Sequence, residues 1–413
     1  MPTLSRDFLS DLDSRDELAP FRDEFHLPQD LIYLDGNSLG AMPLVAKQRI
    51  LEVVAQEWGE ALITSWNKNG WFQMAEKLGD KIARLIGADP GEVMACDATG
   101  INLYKLLSMA LDMRRDRRVI VMEGSNFPTD NYMAQGLIKQ LGRGHRIYFA
   151  EKEDILAAIT EDVAVVSLTE VHYKTGHLLD MKAITEKAHA VGALVIWDLC
   201  HSAGALPVFV NDCHVDFALG CGYKYLNGGP GAPAFIFVAK RHQGRAVQPL
   251  TGWWGHAAPF AFEPDYRPAD NIRQTLTGTQ PILSLAALEC GLDIMCRADM
   301  AKIREKSMNL CDYFIALVEE HCGGYGFSLV TTRSREERGS QVSFRHKQGF
   351  AIMQALIADK VMGDFRAPDI VRFGFTPLYT RYVDVWDAVM RLKNIMENNL
   401  WQKPEFNRLT AVT

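Results

Sequence analysis

Between about residue 75 and residue 240, short apolar runs of β-type composition alternate with stretches of helical period. This alternation limits the fold more than any other feature of the chain. The runs are Glu92–Cys96, Val119–Glu123, Arg146–Phe149, Ala164–Thr169, Leu194–Asp198, Phe217–Gly220 and Ala234–Val238, and between them stretches such as Ile101–Leu111 and Met181–Val191 show helical periodicity. Strands that alternate with helices argue for a mostly parallel sheet covered on both faces. We therefore expect an α/β domain on a mostly parallel, seven-stranded sheet. The last pair, flanking residue 224, is expected to be hairpin-like and antiparallel at one side of it.

At 413 residues the chain has room for two domains. Beyond residue 280 the texture changes. Amphipathic stretches at Leu283–Cys296, Met300–His321, Phe350–Asp359 and Asp384–Asn398 alternate with short strands at Gln341–Phe344 and Val371–Gly374. That is the pattern of a smaller α+β C-terminal domain, with 282–297 as a helix bridging the two. The expected division is 1–45, a segment packing on the small domain or on a partner; 46–280, the large α/β domain; and 281–413, the small domain with its linking helix.

A hydrophobic content of 48% with 23% charged residues describes an ordinary globular protein. The net charge is −7 and no basic stripe with interleaved aromatics is visible, which disfavours nucleic acid as a partner. The densest basic run, Arg114 to Arg118, precedes a strand and reads as a solvated loop. The first twenty residues carry Asp7, Asp11, Asp13, Asp16 and Glu17 without a continuous apolar stretch, so no signal peptide is expected. No window approaches the roughly 18 apolar residues of a membrane span. The eight cysteines show no Cys-x-x-Cys spacing and read as free thiols of a reducing cytoplasm. Cys213, His214 and Cys221 have the wrong spacing for a structural zinc site, and no metal is expected.

Within this framework Lys224 stands out. It lies in Gly222-Tyr223-Lys224-Tyr225-Leu226, followed by Asn227-Gly228-Gly229-Pro230-Gly231, between two apolar runs. An ammonium held close to a core costs several kcal/mol unless paired or neutralised. Such placement suits a lysine of lowered pKa that does Schiff-base chemistry; the alternative is a lysine in an exposed turn. Asp198 lies 26 positions earlier, at the end of Ala193-Leu194-Val195-Ile196-Trp197. Ligands of open α/β sheets sit outside the carboxyl ends of the strands. An acid there, paired with a Schiff-base lysine, matches the partner of a pyridinium nitrogen in pyridoxal phosphate (PLP) chemistry. Alone, Asp198 would equally suit a helix cap or a turn. Two weaker signals lie upstream. Asp97 to Asn102 joins a strand to a helix and could face an anion with backbone amides and the Thr99 hydroxyl, as a simple cap also would. Asn126-Phe127-Pro128-Thr129-Asp130 could stack an aromatic on a flat heterocycle, or could be a loop with a buried Phe.

Over nearly its whole length the chain resembles kynureninase, a PLP-dependent hydrolase family of fold type I, the aspartate aminotransferase-like group, in its bacterial form. Six blocks carry the resemblance: Tyr33 to Gly40, Asn126 to Asp130, Trp197 to Gly204, Tyr223 to Asn227, Gly252 to His256, and Arg372 to Tyr379. The resemblance implies that Lys224 carries the cofactor, Asp198 binds its ring nitrogen and Tyr223 assists proton transfer. It implies that Phe127 stacks on the ring, that Pro128, Thr129, Asp130, Thr169 and His201 line the cofactor, and that Thr99 and Gly100 hold the phosphate together with Tyr223. Many relatives have Ser or Thr in place of Gly100. Trp253 and Thr279 would close the site from the second subunit of a homodimer. Arg372 would clamp the substrate carboxylate, with Trp66, Gly278 and Asn37 also on the substrate side.

The implied reaction belongs to tryptophan catabolism. It cleaves the Cβ–Cγ bond of L-kynurenine to give anthranilate and L-alanine, and that of 3-hydroxykynurenine less well. Three rival readings stand beside it. A cysteine desulfurase needs a reactive cysteine on a mobile loop, for which Cys322-Gly323-Gly324 is the nearest candidate. A non-catalytic PLP-binding protein could dispense with Arg372 and Trp66. A nicotinamide dehydrogenase is disfavoured, because Gly228-Gly229-Pro230-Gly231 lacks the spacing and position of a dinucleotide fingerprint.

Overall fold

A computed structural model describes residues 4–408; residues 1–3 and 409–413, the ends of the two expected terminal segments, lie outside it. The large sheet has seven strands in the order Val93–Ala95, Phe235–Val238, Phe217–Gly220, Leu194–Asp198, Val163–Thr169, Val119–Glu123, Arg146–Ala150. Each matches one apolar run of the sequence to within two residues. Six of them are buried at every position, as expected for strands covered on both faces, and only the edge strand Arg146–Ala150 is largely open. The five strands from Phe217–Gly220 to Arg146–Ala150 pair in parallel. Phe235–Val238 is antiparallel to both its neighbours, so the reversed strand lies second from the edge, with Val93–Ala95 outside it.

One hydrophobic cluster fills both faces of this sheet and takes in Leu285, Leu288 and Leu292 of the helix Ile282–Met295. A second is built on the helices Met300–Cys322, Gly349–Ala358 and Tyr382–Glu397, packed on a four-stranded antiparallel sheet. The order there is Ser328–Leu329, Gln341–Arg345, Ile370–Gly374, Asp364–Arg366. Leu9, Ile32 and Leu34 belong to this second cluster, so the N-terminal segment packs on the C-terminal unit. Its helix Arg6–Ser14 ends beside Asp13, whose carboxylate accepts the Tyr382 and Val383 amides at 2.7 and 2.9 Å. Those are orphan donors of the helix Tyr382–Glu397, satisfied here by a side chain from 369 residues away. No helix of the described residues is long and apolar enough to cross a membrane.

Candidate active site

Three loops meet at the carboxyl ends of the central strands. Thr169 and Asp198 end neighbouring strands and stand directly opposite in the ladder. The Lys224 loop follows the next strand, and its Tyr223 carbonyl accepts the Gly40 amide at 2.8 Å. A Cβ at Gly40 would collide with the Lys224 carbonyl and with Asn227, so only glycine lets the 35–40 loop lie this close. The cavity so formed has a volume of about 350 Å³. It brings together Asn37, Thr99, Gly100, Phe127, Thr129, Asp130, Thr169, Asp198, His201, Tyr223, Lys224 and Arg372, all singled out in the sequence. Pro128 is not on the wall; it opens the helix Pro128–Leu141, where its fixed φ suits the first turn.

The Lys224 ammonium donates to His201 Nε2 at 2.9 Å. Burial, with the Lys224 and Arg372 charges nearby, holds the His201 imidazole well below its ordinary range, so it stays neutral and accepts. Its Nδ1 is buried without a partner. For Lys224 the outcome differs from the lowered pKa expected. Burial pulls the amine down, but Cys221, Cys200, Tyr223 and Asp198 together outweigh it, and the net direction is upward. Asp198 Oδ1 accepts the Cys200 amide at 2.7 Å, so Asp198 both shapes a turn and faces the cavity. Burial, then repulsion from Asp198, pushes the Asp130 carboxyl well above the carboxylate range. The Tyr223 phenol is pushed up to about 12, chiefly by burial.

Asn126 organises the aromatic side. Its Oδ1 accepts the Thr169 hydroxyl and the Phe127 amide, both at 2.7 Å, and its Nδ2 donates to Asp130 Oδ2 at 3.0 Å. Phe127 is 45% exposed, an open aromatic face rather than the buried loop Phe of the alternative reading. Across the cavity, Thr99 is the first residue of the helix Thr99–Met113. Its cap, Ala98, offers no side-chain bond, so the first-turn amides are left free for an anion. A Cβ at Gly100 would come within 3.1 Å of Met133 Cε and 3.2 Å of Thr129 Cγ2, so a larger residue there would need these side chains to give by a few tenths of an ångström.

Arg372 is 1% exposed. Its Nε donates to Asp364 Oδ1 at 2.8 Å, and Nη2 pairs with the other Asp364 oxygen. The side-on edge of the guanidinium is thereby occupied, in contrast to the bidentate substrate clamp expected. Besides Pro128, four expected residues lie outside this cavity. Gly278 and Thr279 line an adjoining one of about 480 Å³ that shares Ala98, Thr99 and Tyr223 with it. Trp66 packs on Trp71 and Trp254, with ring centroids 5.5 and 5.1 Å away, and Trp253 on Trp254 at 4.6 Å. Sequence reasoning had not assigned Ser38, Asn126, Tyr173, Cys200 and Arg366, which also line the site. Ser38, Asn126 and Cys200 lie inside motifs already noticed but had no role assigned; Tyr173 and Arg366 carry no local signal. No group of His, Cys, Asp and Glu among the described residues could hold a metal ion.

Solved structures share the fold. An apo cysteine desulfurase from Thermococcus onnurineus NA1 superposes with a TM-score of 0.77 at 18% identity, over 92% of this chain and 98% of that one. A C-DES mutant with glycine covalently linked to its PLP cofactor gives 0.77 at 17% identity, over 90% and 99%. Identities this low establish the fold alone. A family model of the kynureninase C-terminal domain matches residues 303–392. Over the whole chain the similarity is closer. A Burkholderia pseudomallei (strain 1106a) kynureninase is 53% identical over 97% of this chain and 98% of its own length, and that of Pseudomonas fluorescens is 51% identical over the same shares. With more than half of all residues identical over nearly the full length of both chains, this chain belongs to the kynureninase family.

Proposed function

We propose that the protein hydrolyses L-kynurenine to anthranilate and L-alanine, with PLP held in the cavity at Lys224, and that it accepts 3-hydroxykynurenine less well. The observation that carries this reading is the content of one cavity: a buried lysine amine, two facing carboxyls, an open phenyl face, an uncapped helix N-terminus and a buried guanidinium. These residues fit the cofactor. The orphaned Nδ1 of His201 and the free amides beside Thr99 both lack a partner that a phosphorylated heterocycle can provide. Lys224 would carry the group, Asp198 would meet its ring nitrogen, and Phe127 would cover its face. Thr99, Gly100 and Tyr223 would hold the phosphate, and Pro128, Thr129, Asp130, Thr169 and His201 would complete the surround.

When bound, PLP supplies an electron sink for charge that develops on substrate carbon. The protein's part is placement and proton transfer. Arg372 orients the α-carboxylate, with Asn37 beside it. Lys224 Nζ takes the α-proton and returns it within the site. Water adds at the γ-carbonyl, the Cβ–Cγ bond breaks to release anthranilate, and Tyr223, which burial keeps a phenol at neutral pH, donates its proton to the Cβ left behind. The desulfurase reading is disfavoured because Cys322 is 0% exposed at a helix end, with its thiol pushed up to about 12 by burial. Retention of the buried Arg372 speaks against a merely structural role for the cofactor.

Trp66, Trp253, Gly278 and Thr279 would act across a homodimer interface, completing the partner's site. In support, Leu39, Met42, Leu51 and Leu283 are exposed, and a largely apolar cavity of about 500 Å³ lies among Leu39, Met42, Pro43, Ile50 and Leu51. The two clusters support a large and a small unit, with the linking helix Ile282–Met295 packed on the large one and Leu9, Ile32 and Leu34 on the small one, rather than a boundary at 280; eight free thiols suit a cytoplasmic location.

The test is the absorbance spectrum of the purified protein before and after borohydride, with peptide mapping of the label and fluorescence assay of anthranilate release. A reducible band, a label on Lys224 and released anthranilate are expected. Reduction without a label on Lys224, or no anthranilate from the loaded enzyme, refutes the reading.

A further inference from the structure

Arg372 meets the substrate with almost all its donors already spent. Besides the two bonds to Asp364, Nη2 donates to Ser38 Oγ at 2.8 Å and Nη1 to the Tyr173 carbonyl at 2.5 Å. An arginine has five N–H donors. One, on Nη1, remains.

A second guanidinium lines the same cavity. Arg366 donates from Nη2 to Asp364 Oδ2 at 2.6 Å and to Ser38 Oγ at 3.3 Å. Its Nε is buried and unpartnered, and its Nη1 makes no hydrogen bond among the described residues. The sheet register causes this arrangement. Asp364 stands opposite Arg372 on the antiparallel neighbour, and Arg366, two residues on, emerges on the same face as the diagonal neighbour of Arg372. One carboxylate therefore serves two guanidinium groups that share a single hydroxyl. The other acid in the cluster, Asp35, is pushed up to about 7 by burial and by repulsion from Asp364, and so offsets the surplus positive charge only in part. The Arg366 side chain is 34% exposed, but its Nε is sealed from solvent without a partner, and an incoming anion would supply that partner.

We infer that Arg366 is a second carboxylate-binding residue of the substrate pocket, gripping the α-carboxylate together with the remaining Nη1 hydrogen of Arg372, while Ser38, whose own proton goes to Asp364 Oδ2 at 2.9 Å, ties the two guanidinium groups together. The inference rests on the hydrolase reading above and names how that site recognises its amino-acid substrate.

The test compares the wild-type holoenzyme with Arg366→Gln and Arg366→Lys. Steady-state kinetics on L-kynurenine are combined with inhibition constants for 4-oxo-4-phenylbutanoate and for its neutral carboxamide. Arg366→Gln should raise KM more than it lowers kcat and reduce kcat/KM about tenfold or more, as loss of a charge-assisted hydrogen bond does. The preference for carboxylate over carboxamide should fall by a similar factor, and Lys should recover part of it. A purely structural role would weaken both ligands alike, so an unchanged preference overturns the inference. If the Gln variant does not fold, the same ratio on Arg366→Lys decides. A wild-type enzyme that releases no anthranilate would overturn the reaction itself, a distinct result.

Discussion

Replacing Arg372 by lysine keeps a positive charge at a site that is 1% exposed and removes only its geometry. The guanidinium makes two parallel bonds to Asp364 and one each to Ser38 and the Tyr173 carbonyl. A single ammonium can stay paired with Asp364 but cannot span the carboxylate, the hydroxyl and the carbonyl together. Losing two charge-assisted bonds at roughly 1.5–3 kcal/mol each, with some recovered by the remaining ion pair, leaves a net cost of about 3 kcal/mol. Over 413 residues an unfolding entropy of about 2.1 cal/mol/K per residue turns that into about 3 °C of Tm. The same loss of fixed geometry should cost about 2–4 kcal/mol in kcat/KM, roughly a 30- to 1,000-fold decrease. The assay is anthranilate fluorescence at saturating cofactor, run beside thermal melts of the same preparations. Unchanged kcat/KM would mean that the carboxylate is held elsewhere. An unchanged Tm with activity lost would mean that the bonds lysine cannot replace, to Ser38 and the Tyr173 carbonyl, contribute nothing to the fold.

Lys224→Ala should abolish turnover while cofactor absorbance persists through the phosphate and Asp198 contacts; more than about a hundredth of wild-type kcat would contradict its role in proton transfer. Glu170 is wholly buried, and its carboxyl is pushed up from 4.5 to about 7 chiefly by burial. The folded state therefore binds the proton that the unfolded state releases between those values, and the stabilisation present below about pH 4.5 is lost as pH rises through about 7. Glu170→Gln should accordingly gain about 2–3 kcal/mol on wild type between pH 5 and 8 in urea unfolding, and parallel curves would refute the shift. The proposed ring pocket of Trp66, Gly278 and Thr279, completed across the dimer, would offer few hydrogen bonds to an added hydroxyl, whose desolvation costs roughly 1–3 kcal/mol. L-kynurenine should thus be preferred over its 3-hydroxy form by about tenfold or more in kcat/KM. A lower preference in Trp66→His with Thr279→Asn would support this pocket; equal or reversed preference in the unmodified enzyme would overturn it.

The sequence alone determined the seven strands of the large sheet, to within two residues at each end. Runs such as Val119–Glu123 and Leu194–Asp198 are apolar because both faces of a parallel strand must be covered, a requirement written into consecutive residues. Lys224, Asp198 and Thr99 were legible for the same reason, since strand ends and strand–helix junctions are local features. Only the tertiary structure decided what each of them touches. That Asp364 takes the side-on edge of Arg372 follows from an antiparallel register, and that Tyr173 offers its carbonyl follows from a loop 199 residues away. The upward net shift at Lys224 likewise depends on thiols and a carboxylate gathered from separate loops. Within one chain Trp66 and Trp253 pack into an aromatic cluster rather than the Lys224 cavity. Periodicity encodes burial one element at a time, whereas pairing energies depend on distances set by the whole fold, and no run of neighbouring residues carries them.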